Sequence, residues 1–382
     1  MRTDKEVLLA TRQFASEIRW RSWWHLGSTA LVAAALLFAA GFDALGLLRL
    51  PLSVAAGLTL VRLFVLYHDQ QHGSFLRGSK PAGWLMTAFG IWSLNPPSVW
   101  KRSHDHHHHH NSKLHGPNVG SYPLMTVEGY RRAGAVERLR YAASRHPLTV
   151  AAGYLTIFLG GMCAAPFVAN PRRHADAALS VLCHAAFLFW LNRGGADDAL
   201  LVGVLPFGVG SAVGAYLFLA QHNFPECEVA SSRDWSHVAA ALRSSSYIRM
   251  GSLMRWFTGN IGYHHVHHLN ARIPFYRLPE AMAGLPEAQS PRTVTLALHD
   301  VVACFRLKLW DEAAGRLVPW PASPPRSRRI ELLFRGRPTR MAALPRESDR
   351  LWTQESSQSF FAPEADPVGY APDGSQHDHS SR

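Results

Sequence analysis

Residues 22–42, 146–171 and 199–225 contain no Asp, Glu, Lys or Arg. A helix needs roughly 20 mostly apolar residues to cross a bilayer. In lipid the backbone must satisfy its own hydrogen bonds, so such runs are expected as helices. A soluble core helix runs roughly 8–20 residues and keeps a polar face. A further run opens at Pro51 and ends at Tyr67, directly before His68, with Arg62 about a turn and a half from its end. That arginine is expected to snorkel toward the headgroups. The pattern predicts spans at 25–48, 51–67, 147–168 and 199–220, the first two forming a hairpin. The 83–100 run, broken by Pro96 and Pro97, and the short 177–190 run are expected as interfacial or re-entrant helices.

The polar segments complete an outline. Residues 1–24 read as an N-terminal interfacial segment with Trp20, Trp23 and Trp24 at headgroup level. Met1 to Arg21 is too polar for a cleavable signal, so the first span is expected to serve as an uncleaved anchor. Residues 25–320 form the membrane domain. Residues 321–382 are rich in Pro, Arg and Ser without apolar periodicity and are expected to be disordered.

Charge refines the picture. The 382-residue chain carries 39 basic and 27 acidic residues, a net charge of +12. The location of the cations argues against a nucleic-acid partner. Lys101, Arg102, Lys113, Arg131, Arg132, Arg138, Arg140 and Arg145 lie between apolar segments, and eight arginines from Arg326 to Arg350 follow the last one. This is the positive-inside pattern of cytoplasmic segments. The cysteines Cys163, Cys183, Cys227 and Cys304 form no CxxC pair, which excludes a zinc ribbon or a disulfide framework.

Histidine carries the candidate chemistry. Thirteen of 22 histidines fall within 68–115 and 264–268. His68 and His72 are spaced i, i+4 and share a helix face. In His104-Asp105-His106-His107-His108-His109-His110, both the 104/107/108 and the 106/109/110 sets have the i, i+3, i+4 pattern. In His264-His265-Val266-His267-His268 only His264, His267 and His268 fit it, so His265 is expected to point away. His222 ends the last apolar run. Counted as two, three, three and one, these make nine candidate ligands. One ion takes at most about six ligands, so nine imidazoles point to two metals. Ligand type alone does not choose among Zn, Cu, Fe and Ni. If the groups meet on one membrane face, an even number of crossings separates them. Three apolar runs lie between His108 and His264, so one must not cross, and 177–190 is the shortest.

With these words in hand, the chain resembles the membrane fatty acid desaturase family and its three histidine boxes. His68-Asp-Gln-Gln-His72, His104-Asp-His-His107-His108 and His264-His-Val-His267-His268 match the boxes in order. The strings WKRSHDHHH, GSYPLMT, QHNF and WFTGNIGYHHVHHLNARIPFYRLPEA resemble the surrounding segments of bacterial acyl-lipid desaturases, over roughly residues 50–285. The resemblance implies an all-α integral-membrane fold with about four transmembrane helices, interfacial helices and a cytosolic histidine-box cap. It implies two iron ions held by His68, His72, His104, His107, His108, His222, His264, His267 and His268, with the serine before His104 choosing that register. Asp69, Asp105 and Asn111 are candidates to orient ligand rings. The implied reaction is O2-dependent formation of a cis double bond in a fatty acyl lipid. Electrons would come from a ferredoxin or a cytochrome b5-type donor, in a bacterial inner membrane with the boxes facing the cytoplasm.

Three rival classes remain. A related di-iron lipid hydroxylase or carotenoid ketolase would share the site. An intramembrane zinc protease would use His68, Asp69 and His72, leaving the other clustered histidines unexplained. A metal transporter would place ligands near the membrane midplane rather than at span ends.

Overall fold

The computed structural model describes residues 2–114 and 121–321. The tail expected to be disordered, 322 onward, lies outside the described residues. The fold is almost wholly helical. Among the described residues, four helices are long and apolar enough to cross a membrane: Arg19–Ala40, Asp43–His72, Ala175–Asn192 and Ala196–His222. Asp43–His72 is the central and most buried of them. It packs against both the first and the last. Its approach to the last depends on Gly57, where a Cβ would stand 2.6 Å from the Pro206 carbonyl oxygen and 2.8 Å from Val209. Small residues let apolar helices approach this closely.

The number of long helices meets the expectation, but two runs exchange roles. The 147–168 run is divided into Pro147–Ala151, Tyr154–Ala164 and Ala165–Ala169. Its middle piece is wound with π-helical geometry, and its longest continuous part, Tyr154–Ala169, falls short of a full span. The 177–190 run instead lies within the 18-residue Ala175–Asn192 helix. Asp176 sits in its first turn, where a carboxylate suits the helix N-terminus, and accepts from the Ser98 backbone N–H at 2.9 Å and hydroxyl at 2.5 Å. The first span starts early, at Arg19, so the exposed Trp20 and Trp24 sit on its opening turns.

Arg62 does not snorkel. It is buried, with Nε donating to Thr29 Oγ1 at 3.0 Å and the guanidinium donating to the Trp256 carbonyl. It stacks 4.6 Å from the Trp256 ring. The charge is held inside by partners from two other segments.

The expected 83–100 element is two helices. Lys80–Trp92 runs alongside Asp43–His72, with Gly90 so close to Tyr67 that a Cβ would meet the ring at 2.9 Å. The chain turns at Leu94, where φ is +60°, and Pro97 opens Pro97–His110. Proline suits a first helical position because its missing N–H has no partner there anyway. At the opposite end of the long helices, Arg49 donates to the Ala40 carbonyl at 2.7 Å and pairs with Asp198 at 2.5 Å and with Asp43.

The residues after His222 build a cap on the histidine end. Its core includes the fully buried Leu269, Ile273, Phe275, Leu278 and Leu285. Short sheets pin its edges. Tyr247–Arg249 runs parallel to Thr293–Thr295, in the register Tyr247 to Thr293. Met125–Thr126 runs parallel to Leu309–Asp311, which pairs antiparallel with Arg316–Val318.

Candidate metal centre

The clustered histidines lie on the closing turns of three helices and on one short helix of the cap. His68 and His72 occupy the last turns of Arg49–His72, which stops at Gly73 with φ of +68°. His104, His107 and His108 lie in the second half of Pro97–His110. His222 ends Leu205–His222, and the short His264–Leu269 helix brings the remaining three. The side chains form two groups whose ring nitrogens lie within 4.8 Å of one another. One group is His68, His72, His104, His108 and His267. The other is His107, His222, His264 and His268.

Nitrogens face nitrogens across these groups. His108 Nε2 lies 3.1 Å from both His104 Nε2 and His267 Nε2. His222 Nε2 lies 3.0 Å from His107 Nε2 and 2.9 Å from His264 Nε2. Two nitrogens each about 2.1 Å from one ion and at right angles are about 3.0 Å apart. His72 Nε2 and His268 Nε2 are buried without a hydrogen-bond partner. Unpaired buried polar atoms are costly, and a cation in each group would satisfy them. Burial first, and neighbouring imidazoles second, hold His104, His107, His108, His264, His267 and His268 well below the usual histidine range. Neutral imidazole is the form that binds a metal. The donor set therefore fits two ions of the kind that prefer nitrogen.

All nine histidines named from spacing are in these groups, and the alternative register is not. His109 Nδ1 faces the Asp105 carbonyl at 2.7 Å, and the His106 and His110 rings stack at 4.0 Å outside the clusters. His265 points away, with Nε2 3.1 Å from the Ala288 carbonyl, and burial pushes it down to about 4.

The three polar candidates divide. Asp69 reaches a ring: its Oδ1 is 3.0 Å from His68 Nδ1, while Oδ2 accepts from the Phe275 N–H at 2.7 Å. Asp105 instead pairs with Lys101 at 2.7 Å on the surface, because position i+1 turns it off the histidine face. Asn111 donates to Ser245 Oγ at 3.0 Å and ties the helix end to the cap. Two ring partners escaped sequence reasoning. Ser121 Oγ is 2.6 Å from His107 Nδ1, and the Ser244 carbonyl is 3.1 Å from His222 Nδ1. The only signal for Ser121 was its place in GSYPLMT, which carries no spacing rule.

The sequence model of the fatty acid desaturase family matches residues 44–296, which include all nine histidines. A fatty acid desaturase of Bacillus subtilis (strain 168) is 31% identical over 285 residues, covering 72% of this chain and 78% of that one. This chain belongs to the fatty acid desaturase family.

As a desaturase-family protein it is an oxidoreductase of lipid metabolism. The desaturase carries an apolar cavity among its long helices. His68, His104 and His264 line it on the cluster side, and Leu60, Phe64, Phe89, Met162 and Leu217 are among the apolar residues of its walls. Phe207, also in the lining, precedes His222 by 15 residues on one helix, about 22 Å along its axis.

Proposed function

We propose that this desaturase introduces a cis double bond into the acyl chain of a membrane lipid at a centre of two iron ions. One observation carries the reading: two neutral-imidazole clusters stand side by side at one end of an apolar cavity. Aliphatic C–H bonds are not acidic and offer no polar handle, so side-chain acids and bases cannot do this chemistry. The five-histidine and four-histidine groups would hold the iron, which when bound would supply O2-dependent oxidising power for removing hydrogen.

The overall balance is a saturated –CH2–CH2– segment, O2, two electrons and two protons giving a cis –CH=CH– segment and two water molecules. The chain's own residues position and enclose. Phe64, Phe89 and Met162 present a dry wall that would hold the acyl chain against the clusters. Asp69 fixes the tautomer and tilt of His68, and Ser121 does the same for His107. The electrons would come from a ferredoxin or a cytochrome b5-type protein. The basic segments around Lys101 and Arg102 support a cytoplasmic location for the histidine face, in a bacterial inner membrane.

The test is expression in a bacterium of simple lipid profile, with gas chromatography–mass spectrometry of fatty acid esters and His267→Ala as control. A new double bond absent from the control supports desaturation and reports its position. A hydroxyl or keto product would replace desaturation by a related oxidation. An unchanged lipid profile, with the protein in the membrane and a ferredoxin supplied, would sink the acyl-substrate reading.

A further inference from the structure

A second concavity is lined by residues that adjoin the clusters in sequence, and its character is opposite to that of the acyl cavity. Its floor is polar. Gly73 follows His72 of the five-histidine group, and Leu269 follows His268 of the four-histidine group; both residues line the basin. Asn270 Nδ2 donates to Thr11 Oγ1 at 2.8 Å, which fastens the N-terminal helix Asp4–Thr11 to the floor. The rim carries Arg12, Arg19, Arg77 and Arg272 against a single acid, Glu17. Glu17 is already engaged, accepting from the Leu76 N–H at 2.6 Å and lying 3.5 Å from Arg19. Arg12, Arg77 and Arg272 are exposed, and no carboxylate pairs with their side chains among the described residues.

We propose that this arginine-rimmed basin is the docking surface for an acidic one-electron carrier protein, which inserts a carboxylate-bearing face between the N-terminal helix and the loops after His72 and His268. The assignment rests on the oxidoreductase reading above, which requires two electrons per double bond and hence two successive dockings of such a carrier. Charge complementarity selects the partner, because a rim of net positive charge steers an acidic surface and suppresses others. Position selects the role. Gly73 and Leu269 of the lining are the sequence neighbours of His72 and His268, so the basin is built on the segments that carry one ring of each cluster. The apolar cavity and this basin share no lining residue, so an acyl chain in the former leaves the latter free.

The experiment uses the full-length protein purified with iron, a reduced acidic [2Fe–2S] ferredoxin, and dithionite as a small chemical reductant. In the parent, the ferredoxin-driven rate falls steeply as salt rises. The triple reversal Arg12→Glu, Arg77→Glu and Arg272→Glu lowers the ferredoxin kcat/KM by about 10-fold or more at low salt and flattens the salt dependence. Its iron content and its reduction by dithionite match the parent. A triple Arg→Gln variant falls between, and reversal of the distant Arg131 and Arg132 leaves the ferredoxin rate unchanged. A ferredoxin rate and salt dependence identical to the parent's in the reversal variant would overturn the assignment. So would loss of binding to phosphatidylglycerol vesicles with ferredoxin kinetics intact, which would make the basin a lipid-headgroup site. Failure of the functional reading looks different: the parent itself would hold no iron, or form no double bond with either reductant.

Discussion

One carboxylate reaches across 206 positions: Asp69 holds the neighbouring His68 ring with Oδ1 and the Phe275 backbone N–H with Oδ2. The last turn of the central helix is thereby locked to the cap just past His268. Asp69→Asn supplies one acceptor and one donor where two acceptors are needed, so either the ring or the amide loses its partner. Losing such an orienting partner lowers metal affinity by about 10–100-fold. Titration of the purified iron-loaded variant with a chelator, read as the concentration for half removal, checks this. Parental retention would mean that Asp69 only shapes the backbone.

The polyhistidine run separates by side. His109→Ala removes an exposed ring that faces only the Asp105 carbonyl. Metal content is expected to stay at the parental level and stability within about 0.5 kcal/mol. His108→Ala removes a ring whose Nε2 lies 3.1 Å from two others and is expected to lower bound metal. Elemental analysis per mole of protein compares the two. Equal loss from both would reject the 104/107/108 register.

The helix crossing at Gly57 has no room. Gly57→Ala is expected to cost about 1–3 kcal/mol from overpacking against Pro206 and Val209. Gly208→Ala, whose Cβ would meet nothing within 4 Å, is the control. Thermal unfolding in detergent followed by size-exclusion fluorescence ranks them, and equal midpoints would contradict the close approach.

Lys308 introduces a pH dependence. It is buried, donates to the Arg145 carbonyl at 2.6 Å, and burial together with the Arg145 charge pushes it down to about 8. A lysine whose folded pKa is depressed binds fewer protons folded than unfolded between that value and its ordinary one, near 10.4. Stability attributable to it therefore rises as pH climbs from about 8 toward 10, and the cost of the buried charge is present in full below 8. The melting temperature of the parent relative to Lys308→Met is expected to increase over that window. A difference that stays flat with pH would reject the assignment.

The histidine spacing was readable because i, i+3, i+4 is local helix geometry, and local geometry is what a sequence writes most directly. How the rings are shared was not. His107 leaves its neighbours His104 and His108 to join the second group, and His267 leaves His264 and His268 to join the first. That partition depends on how four separate helices converge, which no spacing encodes. The number of long apolar helices was also legible, but not which runs they were. The length of a charge-free run stood in for helix length, and both substitutions failed for nonlocal reasons. The helix holding the 177–190 run takes in Asp176 in its first turn, where Ser98, 78 residues away, donates to the carboxylate. Arg62 stays inside because Thr29 and the Trp256 carbonyl wait for it.

The crossed membership of the boxes has a consequence for assembly. Neither cluster belongs to one stretch of chain, so the two proposed ions cannot load as independent events. Both would draw on Pro97–His110 and His264–Leu269, which each give rings to both groups. A ligand lost from either helix would therefore be felt at the neighbouring site as well, whereas Arg49–His72 serves the five-histidine group alone and His222 the four-histidine group alone.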